Sequence, residues 1–233
     1  MKGFGRIFLM ASFASLLTNC AFAQVDAVTL KLKSLGIDSN IIQHSFNTDD
    51  NVHYFKMTMH AVSAVRKDLT TIEYDPTRDE DDRWRMLTFN SDTVSEKWAR
   101  DYAKEVNKKS NRKANVSSTK IKSEDSATIV ISFNCNNKES LPDRYENLSR
   151  CNGVAYINKA TKQIDKEEFT DSSSFQLEFM TVMTYTMDRN FSYNADEQYN
   201  QLISDDLYMD VYIKDKKSKA TVTYIYSDYK KVK

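Results

Sequence analysis

Residues 174–188, SFQLEFMTVMTYTMD, 207–215, LYMDVYIKD, and 219–229, KATVTYIYSDY, decide the fold. Apolar and polar side chains alternate through all three, the period-two pattern of half-buried strands. Met183, Tyr185 and Met187 share one parity of the first stretch. Leu207, Met209, Val211 and Ile213 do so in the second, and Val222, Tyr224 and Tyr226 in the third. IVISF, NGVAYIN and QIDKEEFTD, further upstream, have the same texture, so the chain from Ile121 onward reads as strands joined by polar turns. NKATKQ, between Ile157 and Ile164, and DKKSK, between Ile213 and Ala220, read as hairpin turns.

Towards the N-terminus, HYFKMTMHA sets Phe55, Met57 and Met59 on one strand face, and DLTTIEYDP is a second strand stopped at Asp75-Pro76. RWRMLTF resumes the pattern after a charged run. Helical spacing occurs twice. In VDAVTLKLKSLG (25–36), Val25, Val28, Leu32 and Leu35 share a face and Gly36 is a stop signal. In DTVSEKWARDYAKEVNKK (92–109), Trp98, Tyr102 and Val106 are predicted to pack on the sheet. The expected fold is mainly β (α+β). It is a strongly curved antiparallel sheet or incomplete β-barrel of about eight to ten strands, with one or two helices packed on it.

The first residues, MKGFGRIFLMASFASLLTNCAFAQ, have the layout of an export signal. Lys2 and Arg6 precede an apolar stretch from Ile7 to Leu17, and Ala21-Phe22-Ala23 is a small-x-small cleavage site. That stretch is shorter than the roughly 20 residues a membrane-spanning helix needs. The expectation is a signal over 1–23, one β-rich domain over 24–233, and a periplasmic or secreted location with no transmembrane segment in the mature chain. A competing reading takes Leu17-Thr18-Asn19-Cys20 as a lipoprotein box, with the protein lipid-anchored through Cys20. Removing the signal takes two of the 33 basic residues and none of the 33 acidic ones, leaving a net charge of −2. So balanced a chain exerts no net pull on nucleic acid. Thirteen tyrosines and twelve phenylalanines beside only four glycines and two prolines favour pleated strands.

The mature chain keeps Cys135 and Cys151, one ending a strand pattern and one beginning the next. An even pair in an exported protein is most simply a disulfide, here closing a polar loop and contributing around 3 kcal/mol. A metal site would need further Cys or His ligands nearby, and the sequence offers none. The acidic loop Asp75, Asp79, Glu80, Asp81, Asp82 lacks the alternating oxygens and central glycine of a calcium loop, and reads as a solvated hairpin tip. No G-x-S-x-G elbow or glycine-rich phosphate loop is present, so no catalytic set and no cofactor is assigned.

The strand faces carry the functional expectation. Six methionines, Met57, Met59, Met180, Met183, Met187 and Met209, fall in the stretches HYFKMTMHA, 174–188 and 207–215, and methionine is over-used where a surface fits varied apolar partners. Phe55, Met57, Met59, Met183, Tyr185, Met187 and Met209 are therefore the candidate ligand-binding residues, lining the concave face of a curved sheet. The protein reads as a non-enzymatic exported carrier or binding module for an apolar small molecule, lipid or acyl chain. The alternatives are an envelope interaction protein without a cavity, whose partner is another protein, and an unrecognised hydrolase. Alternation alone does not separate a filled core from a cavity.

The hairpin Gly153-Val154-Ala155-Tyr156-Ile157-Asn158-Lys159 through Ile164 and the final strand Ile225-Tyr226-Ser227-Asp228-Tyr229, in this order of elements, resemble the LolA/LolB-like superfamily of periplasmic lipoprotein carriers. Tyr74-Asp75-Pro76 through Arg83-Trp84-Arg85 resembles a recurrent piece of uncharacterised exported bacterial proteins. The carrier resemblance implies an incomplete β-barrel with helices as a lid over an apolar cavity for acyl chains. It transfers no individual functional residue.

Overall fold

The structure is a computed structural model that describes residues 27–46, 52–107, 114–135, 138–141, 143–177 and 180–232. The signal at 1–23 and the anchor reading at Cys20 lie outside the described residues. Of the described residues, 58% are strand. After helices α1 (27–34) and α2 (Ile41–Ser45) come β1 (His53–Val62), β2 (Lys67–Tyr74), β3 (Trp84–Phe89) and β4 (Asp92–Thr93). Helix α3 (Glu96–Asn107) leads to β5 (Val116–Glu124) and β6 (Thr128–Cys135). A 3₁₀ segment, Asp143–Arg150, precedes β7 (Asn152–Asn158), β8 (Gln163–Asp171) and β9 (Phe175–Leu177). Three long strands close the chain: β10 (Met180–Asn194), β11 (Tyr199–Ile213) and β12 (Lys216–Lys231).

All twelve strands form one antiparallel, curved, unclosed sheet in the order β4-β3-β2-β1-β12-β11-β10-β8-β7-β6-β5, with β9 pairing β10 beyond the end of β8. The expected curved antiparallel sheet is present, with more strands than the pattern suggested. The terminal strand β12 sits between β1 and β11 and joins the two halves of the chain. The edge strand β5 is blunted by register irregularities near Ser118 and Lys122 and by its lysines, devices that discourage edge-to-edge pairing. Between β11 and β12 the turn is tighter than the DKKSK reading. Lys214 and Asp215 both take positive φ, the two-residue type I′ geometry, and the lysines that follow belong to β12.

One face of the sheet is covered. Val28 and Leu32 of α1, Ile41 and Ile42 of α2, Phe46, and Leu141, Tyr145 and Leu148 pack onto Ile129, Ile131, Phe133, Ala155, Ile157, Ile164, Phe169, Val182, Tyr185, Met187, Met209 and Val211. A second cluster, Phe55, Met57, Ile72, Tyr74, Trp84, Leu202 and Tyr226, fills the β1–β3 end. Phe191 packs against both clusters and marks the seam between them.

Helix α3 meets expectation in part: Tyr102 packs against the smaller cluster, but Trp98 does not. Its buried residues are Ala99 and Ala103, whereas Trp98 is 46% exposed and lies against Phe89 at a ring separation of 5.3 Å. Small residues let the helix approach β3 closely, and the large indole is displaced to its flank. The Val106 side chain lies outside the described residues.

Gly153 faces Phe133 across the β6–β7 pair, and an added Cβ would meet that ring at 2.6–2.9 Å. The ring covers the glycine, as aromatic residues do for strand glycines. Gly153→Ala is expected to cost about 1–3 kcal/mol by overpacking. A fall in the urea midpoint at unchanged m-value checks this, and an unchanged midpoint would show that Phe133 moves freely.

Candidate functional site

Register places three ionisable residues side by side at the centre of the covered face: Glu167 on β8, Arg189 on β10 and Asp205 on β11. All three are 0% exposed. Arg189 donates from Nη1 to Glu167 Oε2 at 2.7 Å and from Nε to Asp205 Oδ1 at 3.1 Å. Its Nη2 donates to the Ser45 carbonyl at 2.9 Å and to the Tyr145 hydroxyl at 3.2 Å. The guanidinium lies over the rings of Tyr145 and Phe46, with centroids at 4.6 and 5.1 Å. The carboxylates have further donors. The Ser45 hydroxyl donates to Glu167 at 2.7 Å, and the Tyr145 and Tyr226 hydroxyls donate to Asp205 at 2.7 and 2.9 Å.

A buried charge is tolerable only when it is paired and its remaining donors and acceptors are met, and this network does both. Its carboxylates and tyrosines hold Arg189 in the charged form against the cost of burial, and its pKa is raised. Burial pushes the Glu167 carboxyl above its ordinary range, with Arg189 and Ser45 pulling the other way. Because Ser45 ends α2 and Tyr145 belongs to the 3₁₀ segment, the network fastens both covering pieces to the middle of the sheet.

The seven predicted ligand residues are divided between the two clusters and the half-buried or exposed surface. Tyr185, Met187 and Met209 are packed in the larger cluster, and Phe55 and Met57 in the smaller. Met59 is half-buried. Met183 leaves the shared face altogether and is 38% exposed. Between Val182 and Thr184 the β10–β11 register slips by one residue, and this bulge resets the alternation on which the grouping of Met183 with Tyr185 rested. The Tyr185 hydroxyl donates to the Met187 sulfur at 3.9 Å, and its burial pushes the phenol pKa up.

An open space lies at the seam. A cleft of about 480 Å³ runs between the α1–α2 cover and the sheet. Ile41, Ile164, Phe191, Leu202, Tyr199 and Tyr229 give it apolar and aromatic walls, and Asp38, His44, Lys162, Gln163, Gln198 and Asn200 give it polar ones. Its form is fixed by bonds from behind: Asn200 donates to the Ile164 carbonyl and Tyr229 to the Leu202 carbonyl, each at 2.8 Å. His53, buried behind the wall, stacks on Tyr199 with centroids 3.9 Å apart. None of the predicted residues lines this cleft. The sequence signal that could have pointed to it is weak: Ile164, Phe191 and Leu202 come from three strands and Ile41 from an unrecognised helix.

The expected disulfide is not formed. Cys135 and Cys151 are buried free thiols, and the Cys151 thiol is turned to donate to the Asn147 carbonyl at 3.6 Å. Burial pushes both thiols up to about 12. The register that pairs Asn134 with Asn152 nevertheless puts the two cysteines next to that pair on opposite strands. Antiparallel partners have Cα separations within reach of a disulfide.

No family model matches the chain, and no curated protein matches it. Among solved structures, a DUF1329 family protein from Desulfovibrio piger is similar in chain course. The identity is 7%, the match covers 91% of this chain and 92% of the other, and the TM-score is 0.31. No helix among the described residues is long and apolar enough to cross a membrane.

Two predictions follow from these buried groups. Arg189→Met, which strands two carboxylates, is expected to destabilise the fold by about 3–5 kcal/mol at pH 7. Because the folded-state pKa of Glu167 is already raised, its burial costs stability as pH rises out of the ordinary carboxylate range towards that raised value. Losing Arg189 widens that window, so urea unfolding of the variant is expected to show a smaller deficit at pH 5 than at pH 7. An equal deficit at both would contradict the network. For the cysteines, the reduced folded protein should resist alkylation at pH 8, and an external disulfide should convert the pair to a bond only when unfolding exposes the thiols. Rapid labelling of either thiol in the folded state would contradict their burial.

Proposed function

We propose that the protein is a non-enzymatic binding module, exported by its leader, that holds a small apolar or amphipathic ligand in the cleft between its helical cover and the sheet. The cleft itself carries this reading. Its volume of about 480 Å³ lies within the range of small-molecule sites, and its walls combine aromatic and aliphatic surface with a few polar groups. The resemblance to LolA/LolB-like carriers supports the same class of function. It differs in place, because the methionine-bearing strand face is a packed core and the ligand is assigned to the seam beside it. Met187, Met209 and Met57 then act as compliant packing behind the site.

A second reading has an observation of its own. The uncovered face of the sheet presents Tyr208, Tyr212 and Ile225, all more than a third exposed, on adjacent strands β11 and β12. Such a surface suits an envelope interaction partner.

Binding of a neutral apolar fluorophore, N-phenyl-1-naphthylamine, separates the two readings. Gln163 lines the cleft from the start of β8, and Gln163→Trp places an indole where the ligand would lie. This variant is expected to keep the wild-type melting temperature and to lose probe affinity by about tenfold, the scale of one blocked apolar contact patch. Unchanged binding by a folded Gln163→Trp protein would remove the cleft from consideration and leave the surface reading.

A further inference from the structure

We infer that the ligand held in this cleft carries an anionic head, so that the protein selects single-chain amphiphiles ending in a carboxylate or phosphate. The inference rests on the cleft being the ligand site and adds the chemistry of the head group.

It follows from an inventory of the polar groups around the rim. Asp38 is the only carboxylate among the lining residues, and it is already engaged: Oδ2 meets His44 Nδ1 at 2.8 Å and Oδ1 accepts the Asn40 amide at 3.0 Å. Asn200, Ser45 and Tyr229 are likewise spent, on the Ile164 carbonyl, the Glu167 carboxylate and the Leu202 carbonyl. The Lys162 ammonium is in a different position. It lies in the turn between β7 and β8, held at positive φ, and no hydrogen bond or ion pair engages it among the described residues. Its Nζ rests over Gly36, only 2.9 Å from where a Cβ on that glycine would stand. Gly36 has φ +68°, the left-handed conformation that ends α1, so the helix terminus supplies a bare backbone against which the ammonium can lie.

Gln163 and Gln198 add side-chain amide N–H groups that no hydrogen bond uses among the described residues. The rim thus presents an unpaired cation and spare N–H donors above walls of Phe191, Leu202, Ile164 and Tyr199. That is the complement of an acceptor-rich, negatively charged head on an apolar tail. A cationic head would meet Lys162, and a neutral one would leave its charge unmatched.

Calorimetric titration with three matched twelve-carbon amphiphiles, each below its micelle threshold, tests this: dodecanoate, dodecanol and dodecyltrimethylammonium. Dodecyl phosphate, run beside dodecanoate, tells which anion is preferred. Wild-type protein is expected to bind the anions about tenfold more tightly than dodecanol, the scale of a charge-assisted hydrogen bond in a partly desolvated site. The cation is expected to bind weakest. Lys162→Glu should abolish the preference, and Lys162→Arg should keep it. Lys162 is exposed, so both variants should fold, and their melting temperatures confirm it. Dodecanol binding as tightly as dodecanoate would overturn the head-group inference while leaving the cleft as the site. Failure of all the amphiphiles to bind would overturn both. A preference for anions that survives Lys162→Glu would also overturn the assignment.

Discussion

A guanidinium with no exposed surface sits in the middle of a covered sheet, and much of the molecule is arranged around it. Arg189 offers donors in the plane of its fork and apolar faces above and below, and each must find a partner where no water reaches. Its neighbours in register, Glu167 and Asp205, supply two carboxylates from strands on either side. The Ser45 carbonyl and Tyr145 hydroxyl supply further acceptors from outside the sheet, while the rings of Phe46 and Tyr145 stack against it. The covering segments are short: α2 has five residues and the 3₁₀ segment eight. Helices of that length are not stable alone, and their positions depend on packing and on this network.

The same centre divides the covered face. On one side the apolar cluster under α1 and α2 is filled, and on the other the aromatic cluster of Phe55, Tyr74 and Trp84 is filled. Phe191, two residues beyond Arg189, touches both, and its ring lies 5.3 Å from the guanidinium. Opposite the step from Asn190 to Phe191, β11 carries the extra residue Ile203, and this bulge turns β11 at this point. The clusters do not close over the seam, and the cleft is what remains between them. Its location is thus a consequence of packing two cores around one charged centre.

The sheet was legible because alternation is a local property. The strands β1, β6, β7 and β12, the helix at 27–34 with its Gly36 stop, and the turn after Asp75-Pro76 all lie where the pattern puts them, whereas the 174–188 stretch is split into β9 and β10 and both β10 (Met180–Asn194) and β11 (Tyr199–Ile213) run beyond the pattern. The bulges were not legible, since a single extra residue in one strand is specified by its partner. That is why Met183 reads as a companion of Met187 and turns out exposed. Glu167 was hidden for the same reason: simple alternation from Ile164 puts it on the opposite face, and the register shift near Ile157 brings it inward beside Phe169. Arg189 and Asp205 already shared the parity of Met187 and Leu207 in the sequence, and an arginine and an aspartate on apolar parity were the available signal. The cleft draws on residues from α2, the connection before it, two turns and four strands, and no window of sequence contains it.

The most direct test is methyl NMR of the folded protein, labelled at methionine, isoleucine and leucine, during titration with the neutral probe. Ligand in the cleft predicts that the methyl signals of Ile41, Ile164 and Leu202 shift first and saturate together, while those of Met57, Met187 and Met209 stay within their unliganded envelopes. Early, saturable shifts at Met187 and Met209 with Ile41 and Leu202 unmoved would contradict it, and would place the ligand on the methionine-bearing strands instead.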